Sequence, residues 1–185
     1  MEYRAALAAD APAVAGLFAA NHHDALSEEE RSRQGFVQGA LDEDALRAMA
    51  EAGGLLVADD GGEIAGMLGL VRAESVPGPP PPVLALLRAQ DSLLWHGRPL
   101  GAVRWLLYGP VVVAAAYRGR GIARGLFTTA LKAATGRAEV MVAFIELTNR
   151  ASWTVHVDGL GMTPLGEFDL DGRAYGVVGA ACPAA

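Results

Sequence analysis

Polar and apolar positions along this chain predict short strands and helices in alternation. Residues 2–7 read as a first strand, and Asp10 with Pro12 predicts an N-capped helix over roughly 11–20. Asn21-His22-His23-Asp24 breaks that helix, and residues 27–34, opened by a cap-like Ser27, form a polar helix or loop. Asp42 or Asp44 caps a further helix to about Glu51, closed by Gly53-Gly54. Leu55-Leu56-Val57-Ala58 and Ile64 to Val71, around Asp59-Asp60-Gly61-Gly62, predict a hairpin. Pro77 to Pro82 marks an exposed loop, residues 83–94 a helix, and about Val103 to Ala114 a long strand interrupted at Gly109-Pro110. A helix to about Thr135 follows, stopped by Gly136, and then a strand from Ala138 to Leu147. Asn149 to Asp158 reads as a helix closed by Gly159-Leu160-Gly161. Strands over 162–169 and 173–180 form a last hairpin around Asp171-Gly172.

The order is β-α-α-β-β-insert-β-α-β-α-β-β, one α/β domain over residues 1–185 with a proline-containing insert at about 73–100. At 185 residues, 52% hydrophobic and 19% charged, the chain is long and apolar enough for a sizeable core. A net charge of −6 argues against a nucleic-acid partner. One cysteine, Cys182, excludes an intramolecular disulfide and a cysteine-cluster metal site, which fits a reducing cytoplasm. No apolar run reaches membrane-spanning length, and Glu2 and Asp10 argue against a secretory signal. Fourteen arginines beside a single lysine, with abundant alanine, reflect the base composition of the source genome, of bacterial type.

Candidate chemistry concentrates where the apolar run Val111-Val112-Val113 gives way to Arg118-Gly119-Arg120-Gly121-Ile122-Ala123 and then a helix. A glycine turn feeding a helix N-terminus is an anion site, because the first backbone N–H groups lack partners inside the helix. Arg118, Arg120 and Arg124 oppose the helix dipole there, by about 0.3–1 kcal/mol each, and a bound polyanion reverses that sign. No Gly-Lys-Ser/Thr follows, so this is not a phosphate loop of the nucleoside-triphosphatase kind. Gly119-x-Gly121-x-x-Arg124 lacks the third glycine of a dinucleotide fingerprint.

What remains, Arg118-x-x-Gly121-x-Ala123, resembles the acetyl-CoA signature of the GNAT (Gcn5-related N-acetyltransferase) family, R/Q-x-x-G-x-G/A. Downstream, Asn149, Ser152, His156 and Gly161-Met162 resemble that family's second motif, with the spacing to the glycine one residue longer than its commonest form. The resemblance covers nearly the whole chain apart from the insert. It implies an α/β (α+β) fold with a mixed central sheet of about seven strands and helices on both faces. It implies an acetyl-CoA-dependent N-acetyltransferase acting on a primary amine of a small molecule or peptide, with acetyl-CoA as co-substrate and no metal. A homodimer is compatible with it. The alternatives are a non-catalytic acyl-CoA-binding module on the same fold and a transferase of another acyl group.

Residue by residue, the resemblance places the donor on Val111, Val112, Val113, Arg118, Gly119, Arg120, Gly121, Ile122, Ala123, Asn149 and Ser152, with the arginines meeting its phosphates. His156 stands where the family keeps a tyrosine general acid, and a histidine titrates near neutrality. Glu146, three residues before Asn149, is the base candidate. Asn149 would fix the donor's arm or a splayed backbone. His22, His23 and, in the last hairpin, Tyr175 are candidates for the acceptor side, although packing is the plainer role for Tyr175.

Overall fold

The computed structural model describes residues 1–76 and 78–184, so Pro77 of the expected proline loop lies outside the described residues. The elements run β1 (Glu2–Ala5), α1 (Ala11–Ala20), α2 (Glu28–Gln34), α3 (Glu43–Glu51), β2 (Leu55–Asp59), β3 (Ile64–Val71) and α4 (Pro81–Ala89). They continue through β4 (Leu94–Trp95), β5 (Arg98–Pro99), β6 (Trp105–Val113), α5 (Ile122–Ala134), β7 (Val140–Glu146), α6 (Arg150–Thr154), β8 (Thr163–Leu170) and β9 (Arg173–Ala181). Seven strands form one mixed sheet in the order β1-β2-β3-β6-β7-β9-β8, and β4 and β5 form a small separate hairpin. β6 runs parallel to β7, with Trp105, Leu106 and Leu107 opposite Val140, Met141 and Val142. β7 and β9, like β8 and β9, are antiparallel.

The chain divides into two compact units. The first comprises Met1–Arg31, Phe36–Leu70 and Tyr108–Ala130. Its core gathers Val14 and Phe18 of α1, Leu46 of α3, Val57 and Met67 of the hairpin and Val112 of β6, all buried. α5 buries Ile122, Leu126 and Ala130, one side chain per turn. Gly66 and Gly69 of β3 keep this packing possible. A Cβ on Gly69 would lie 2.5 Å from the Gly109 carbonyl oxygen, and one on Gly66 3.0 Å from both Ile122 and the Val112 carbonyl.

Helix starts follow the local signals in part. The Asp42 carboxylate caps α3 by accepting from the Ala45 N–H at 2.8 Å. Ser27 and Glu30 cap α2 reciprocally, Ser27 Oγ accepting from the Glu30 N–H and the Glu30 carboxylate from the Ser27 N–H at 2.8 Å. Asp10, expected to cap α1, does not. It ends a 3-10 turn and accepts from Arg4 at 2.7 and 3.1 Å and from the Leu7 N–H at 2.7 Å. Arg4 also bonds Asp59 at 2.7 Å, and its guanidinium holds both carboxyls below their usual range. A bidentate cation outbids a lone N–H for the same oxygens.

The second unit comprises Ser32–Gly35, Val71–Leu107 and the chain from Leu131 onward. Its insert departs from expectation. The helix over 83–94 is α4, ending at Ala89, and Leu94–Trp95 turns back as β4. The insert packs its apolar positions, Leu86, Leu93, Trp95 and Leu100, into one cluster with Phe168, Tyr175 and Val177 of the last hairpin. Tyr175 stacks on Phe168 at 5.1 Å and meets Phe144 edge-on at 6.0 Å. Residues on the opposite face of β9 alternate with these. There Gly176 lies under Trp153 of α6, whose ring would be 2.3 Å from an added Cβ.

Candidate functional site

β6 is continuous through Gly109-Pro110, but the expected break is there: the peptide is cis, Gly109 takes a φ of 127°, and the registered pairing with β7 ends at Leu107. Val112 faces the core, and Val111 and Val113, alternating with it, stay half-buried on the other side. A 3-10 turn at Ala115–Tyr117 then leads to the glycine turn and α5. Gly119 and Gly121 have φ of 72° and 79°, where an L side chain is strained, and nothing lies within 4 Å of a Cβ built on either. Backbone conformation and open space above the turn, not crowding, therefore explain these glycines. α5 spans 13 residues, and the N–H groups of its first turn, around Ile122 and Ala123, have no acceptor inside the helix.

The two arginines of the turn have different surroundings. Arg118 Nη2 donates to Asn21 Oδ1 at 2.5 Å, and Asn21 Nδ2 donates to the Leu17 carbonyl at 2.8 Å, which ties the turn to the C-terminal end of α1. Arg120 is exposed, and its guanidinium lies 5.5 Å from the centre of the Tyr117 ring. Tyr117 is buried and donates its hydroxyl to Asp60 at 3.2 Å. Desolvation, with Glu63 and Asp60 nearby, pushes the phenol up to about 12.

In the second unit, Asn149, Ser152 and His156 form one connected run. Asn149 is buried and caps α6, its Oδ1 accepting from the Ser152 N–H at 3.2 Å. Gly35 makes room for it, since a Cβ there would sit 2.8 Å from that oxygen. His156 is buried too, with Nδ1 2.7 Å from the Ser152 carbonyl oxygen and 3.3 Å from Ser152 Oγ. A carbonyl only accepts, so Nδ1 carries the hydrogen and Nε2 is the ring's accepting nitrogen. Burial pushes the imidazole below its ordinary range, and the bond to Ser152 only partly opposes this. Desolvation thus works against the charged form of the ring expected to serve as general acid. His156 lies in a π-helical turn over Val155–Gly159, where the Leu160 N–H reaches the Val155 carbonyl at 2.9 Å. That wider turn takes up the extra residue before Gly161.

Glu146 ends β7 with its side chain 13% exposed. It accepts from Thr148 Oγ1 at 2.6 Å and pairs with Arg173 at 3.6 Å. Tyr175 lies opposite it on β9; its ring packs into the aromatic cluster of the core, while its hydroxyl lies beside Arg173 and Glu146. His22 and His23 follow α1. His22 Nδ1 accepts from the Asp24 N–H at 3.3 Å, and His23 lies 3.0 Å from the Asp24 carboxylate and edge-on to Phe36. His22 borders an open, mostly apolar cleft of about 500 Å³ with Phe18, Leu41 and Asp42, and His23 does not. No group of His, Cys, Asp and Glu suited to a metal occurs among the described residues. Asn21, Gly35, Asp60 and Arg173 escaped the sequence reading. Only Arg173 had a usable signal, its place beside a hairpin turn whose register faces the end of β7.

Solved acetyltransferases share this architecture. A putative acetyltransferase from Salmonella typhimurium, solved with its cofactor acetyl-CoA, is 21% identical with a TM-score of 0.64, covering 98% of this chain and 94% of its own. The ribosomal-protein-alanine N-acetyltransferase of Brucella melitensis is 20% identical with a TM-score of 0.62, over 98% and 99%. Diaminobutyrate acetyltransferase from Paenibacillus lautus, solved with L-2,4-diaminobutyric acid and coenzyme A, is 16% identical with a TM-score of 0.57, over 96% and 93%. The fold is thus that of the acetyltransferases. The sequence profile of the acetyltransferase (GNAT) family matches residues 19–162, and the chain belongs to that family. No curated protein matches it significantly. No helix among the described residues is long and apolar enough to cross a membrane.

Proposed function

We propose that this protein is an acetyl-CoA-dependent N-acetyltransferase that moves the acetyl group directly to a primary amine of a small molecule or peptide. The observation that carries this reading is the open turn Arg118–Ala123, with Gly119 and Gly121 at positive φ ahead of a 13-residue helix. Unscreened first-turn N–H groups and the exposed Arg120 suit the pyrophosphate of a CoA thioester. The bound donor supplies an activated acyl group with a thiolate leaving group. A primary ammonium and the thioester give an amide, a free thiol and one released proton.

The chain's own groups handle the protons. An amine of ordinary pKa near 10.4 must lose one before attack, at a cost of about 4.6 kcal/mol at pH 7. Glu146 is the proton acceptor proposed for that step, with Thr148 and Arg173 fixing its carboxylate. His156 Nε2 is a second acceptor, oriented by the Nδ1–H bond to Ser152. Asn149 and Ser152 act chiefly by holding that ring. Val111 and Val113 supply backbone N–H groups for the developing oxyanion.

Thiol release from acetyl-CoA against a panel of primary amines tests the reading, with Gly121→Glu as control. Acetyl-CoA at 100 times its Kd should stabilise the protein by about 2.7 kcal/mol, roughly 5–11 °C in Tm. Gly121→Glu should abolish that shift. Failure of acetyl-CoA to bind would sink the reading. Binding without turnover of any amine would identify a non-catalytic acyl-CoA module.

A further inference from the structure

Beyond the donor turn, the second unit gathers charge of both signs in one place. Glu146, Thr148, Arg150, Gly172 and Arg173 line an open cleft of about 540 Å³. Its two cations come from different elements, Arg150 from the first residue of α6 and Arg173 from the first residue of β9. Arg173 is brought there by the turn Asp171-Gly172, with φ of 50° and 76°, a mirror-image turn that sets the hairpin register. Because Glu146 pairs in register with Tyr175, Arg173 lies diagonally across from it on the same face.

At 3.6 Å the Glu146–Arg173 contact is longer than a charge-assisted hydrogen bond, which closes to about 2.7–2.9 Å. The Arg150 guanidinium has no hydrogen-bond or ion-pair partner among the described residues. The cleft thus holds one anion and two cations; Arg173 also hydrogen-bonds the Tyr175 hydroxyl, and Arg150 has donors to spare.

We propose that this cleft binds a free amino acid as a zwitterion, its carboxylate on Arg150 and Arg173 and its ammonium on Glu146. Inserted there, the ligand replaces one long ion pair with two short ones. The cleft's net charge of one positive unit repels a ligand that carries an ammonium alone. A phosphate monoester would satisfy the arginines but place its second negative charge beside Glu146. The amino acid's own amine would then lie on the proton acceptor named above, and for that acceptor identity the proposal rests on the transferase reading.

The test is thiol-release kinetics at saturating acetyl-CoA on matched pairs: leucine with isopentylamine, and tryptophan with tryptamine. The expected result is a kcat/KM higher for the amino acid by about tenfold to a hundredfold, the range of one charge-assisted hydrogen bond. Arg150→Met should bring that ratio near one by raising KM for the amino acid while leaving the amine's unchanged. Arg173→Met is the second variant: because Arg173 also fixes the Glu146 carboxylate, it should lower kcat on both members of a pair but raise KM for the amino acid alone. Equal or faster turnover of the amines, or an equal loss on both members of a pair in Arg150→Met, would overturn the proposal. If neither member is turned over although acetyl-CoA binds, the transferase reading fails and calorimetry on leucine decides the site. Saturable binding lost in Arg150→Met would support it, and no binding would overturn it.

Discussion

Arg118 separates two accounts of the glycine turn. In one it is an anion ligand that waits for phosphate. In the other it is a structural clamp on α1. Arg118→Ala removes a donor 2.5 Å from Asn21 Oδ1 and leaves that oxygen on a side chain only 8% exposed. Losing a hydrogen bond to a charged group costs about 1.5–3 kcal/mol. The freed side-chain entropy, up to about 2 kcal/mol, and relief from the helix dipole offset part of it. The net expectation is a loss of about 1–2 kcal/mol, or roughly 2–8 °C in the Tm of the ligand-free protein at 2–4 °C per kcal/mol. Thermal unfolding of wild type, Arg118→Ala, Asn21→Ala and the double variant measures it. A clamp gives a double variant less destabilised than the sum of the singles. Arg118→Gln should recover part of the loss, since its amide can donate. An unchanged ligand-free Tm together with a tenfold or greater loss of CoA affinity would refute the clamp.

Gly176→Ala should destabilise by about 1–3 kcal/mol through the forced contact with Trp153, less about 0.4–1 kcal/mol of backbone gain, and Trp153→Ala should remove the clash in a double-variant unfolding experiment. The His156 imidazole, held below its usual range in the fold, takes up a proton more readily when the chain unfolds. Its contribution is therefore complete above about pH 6.5 and is lost as pH falls toward its folded value, and His156→Asn should flatten that limb of a stability–pH curve. Tyr117→Leu should weaken CoA binding about two- to fivefold by removing the platform under Arg120, whereas Tyr117→Phe should leave it near wild type. Isotherms on both variants check this, and equal losses would exclude the ring as the cause.

The amino-acid sequence alone determined the elements whose signals are local. Asp42 as a cap, the hairpins at Asp59-Asp60-Gly61-Gly62 and Asp171-Gly172, and the glycine turn ahead of α5 each depend on contacts within a few residues. Those contacts exist whatever the rest of the chain does. The same locality made the donor motif legible, because a strand, two glycines and a helix N-terminus follow one another directly. Tertiary structure decided which partner a polar side chain takes. Asp10 had an N–H close by and chose Arg4, Arg118 faced an open turn and bonded Asn21, and Tyr175 went into an aromatic cluster with Phe144 and Phe168 that the insert packs against. It also set the direction in which the His156 imidazole shifts, since burial disfavours the charged ring and sequence position does not reveal burial. Arg173 met Glu146 only once strand register placed them on one face. Each of these choices joins residues distant along the chain, and their energies depend on a burial that exists only after folding.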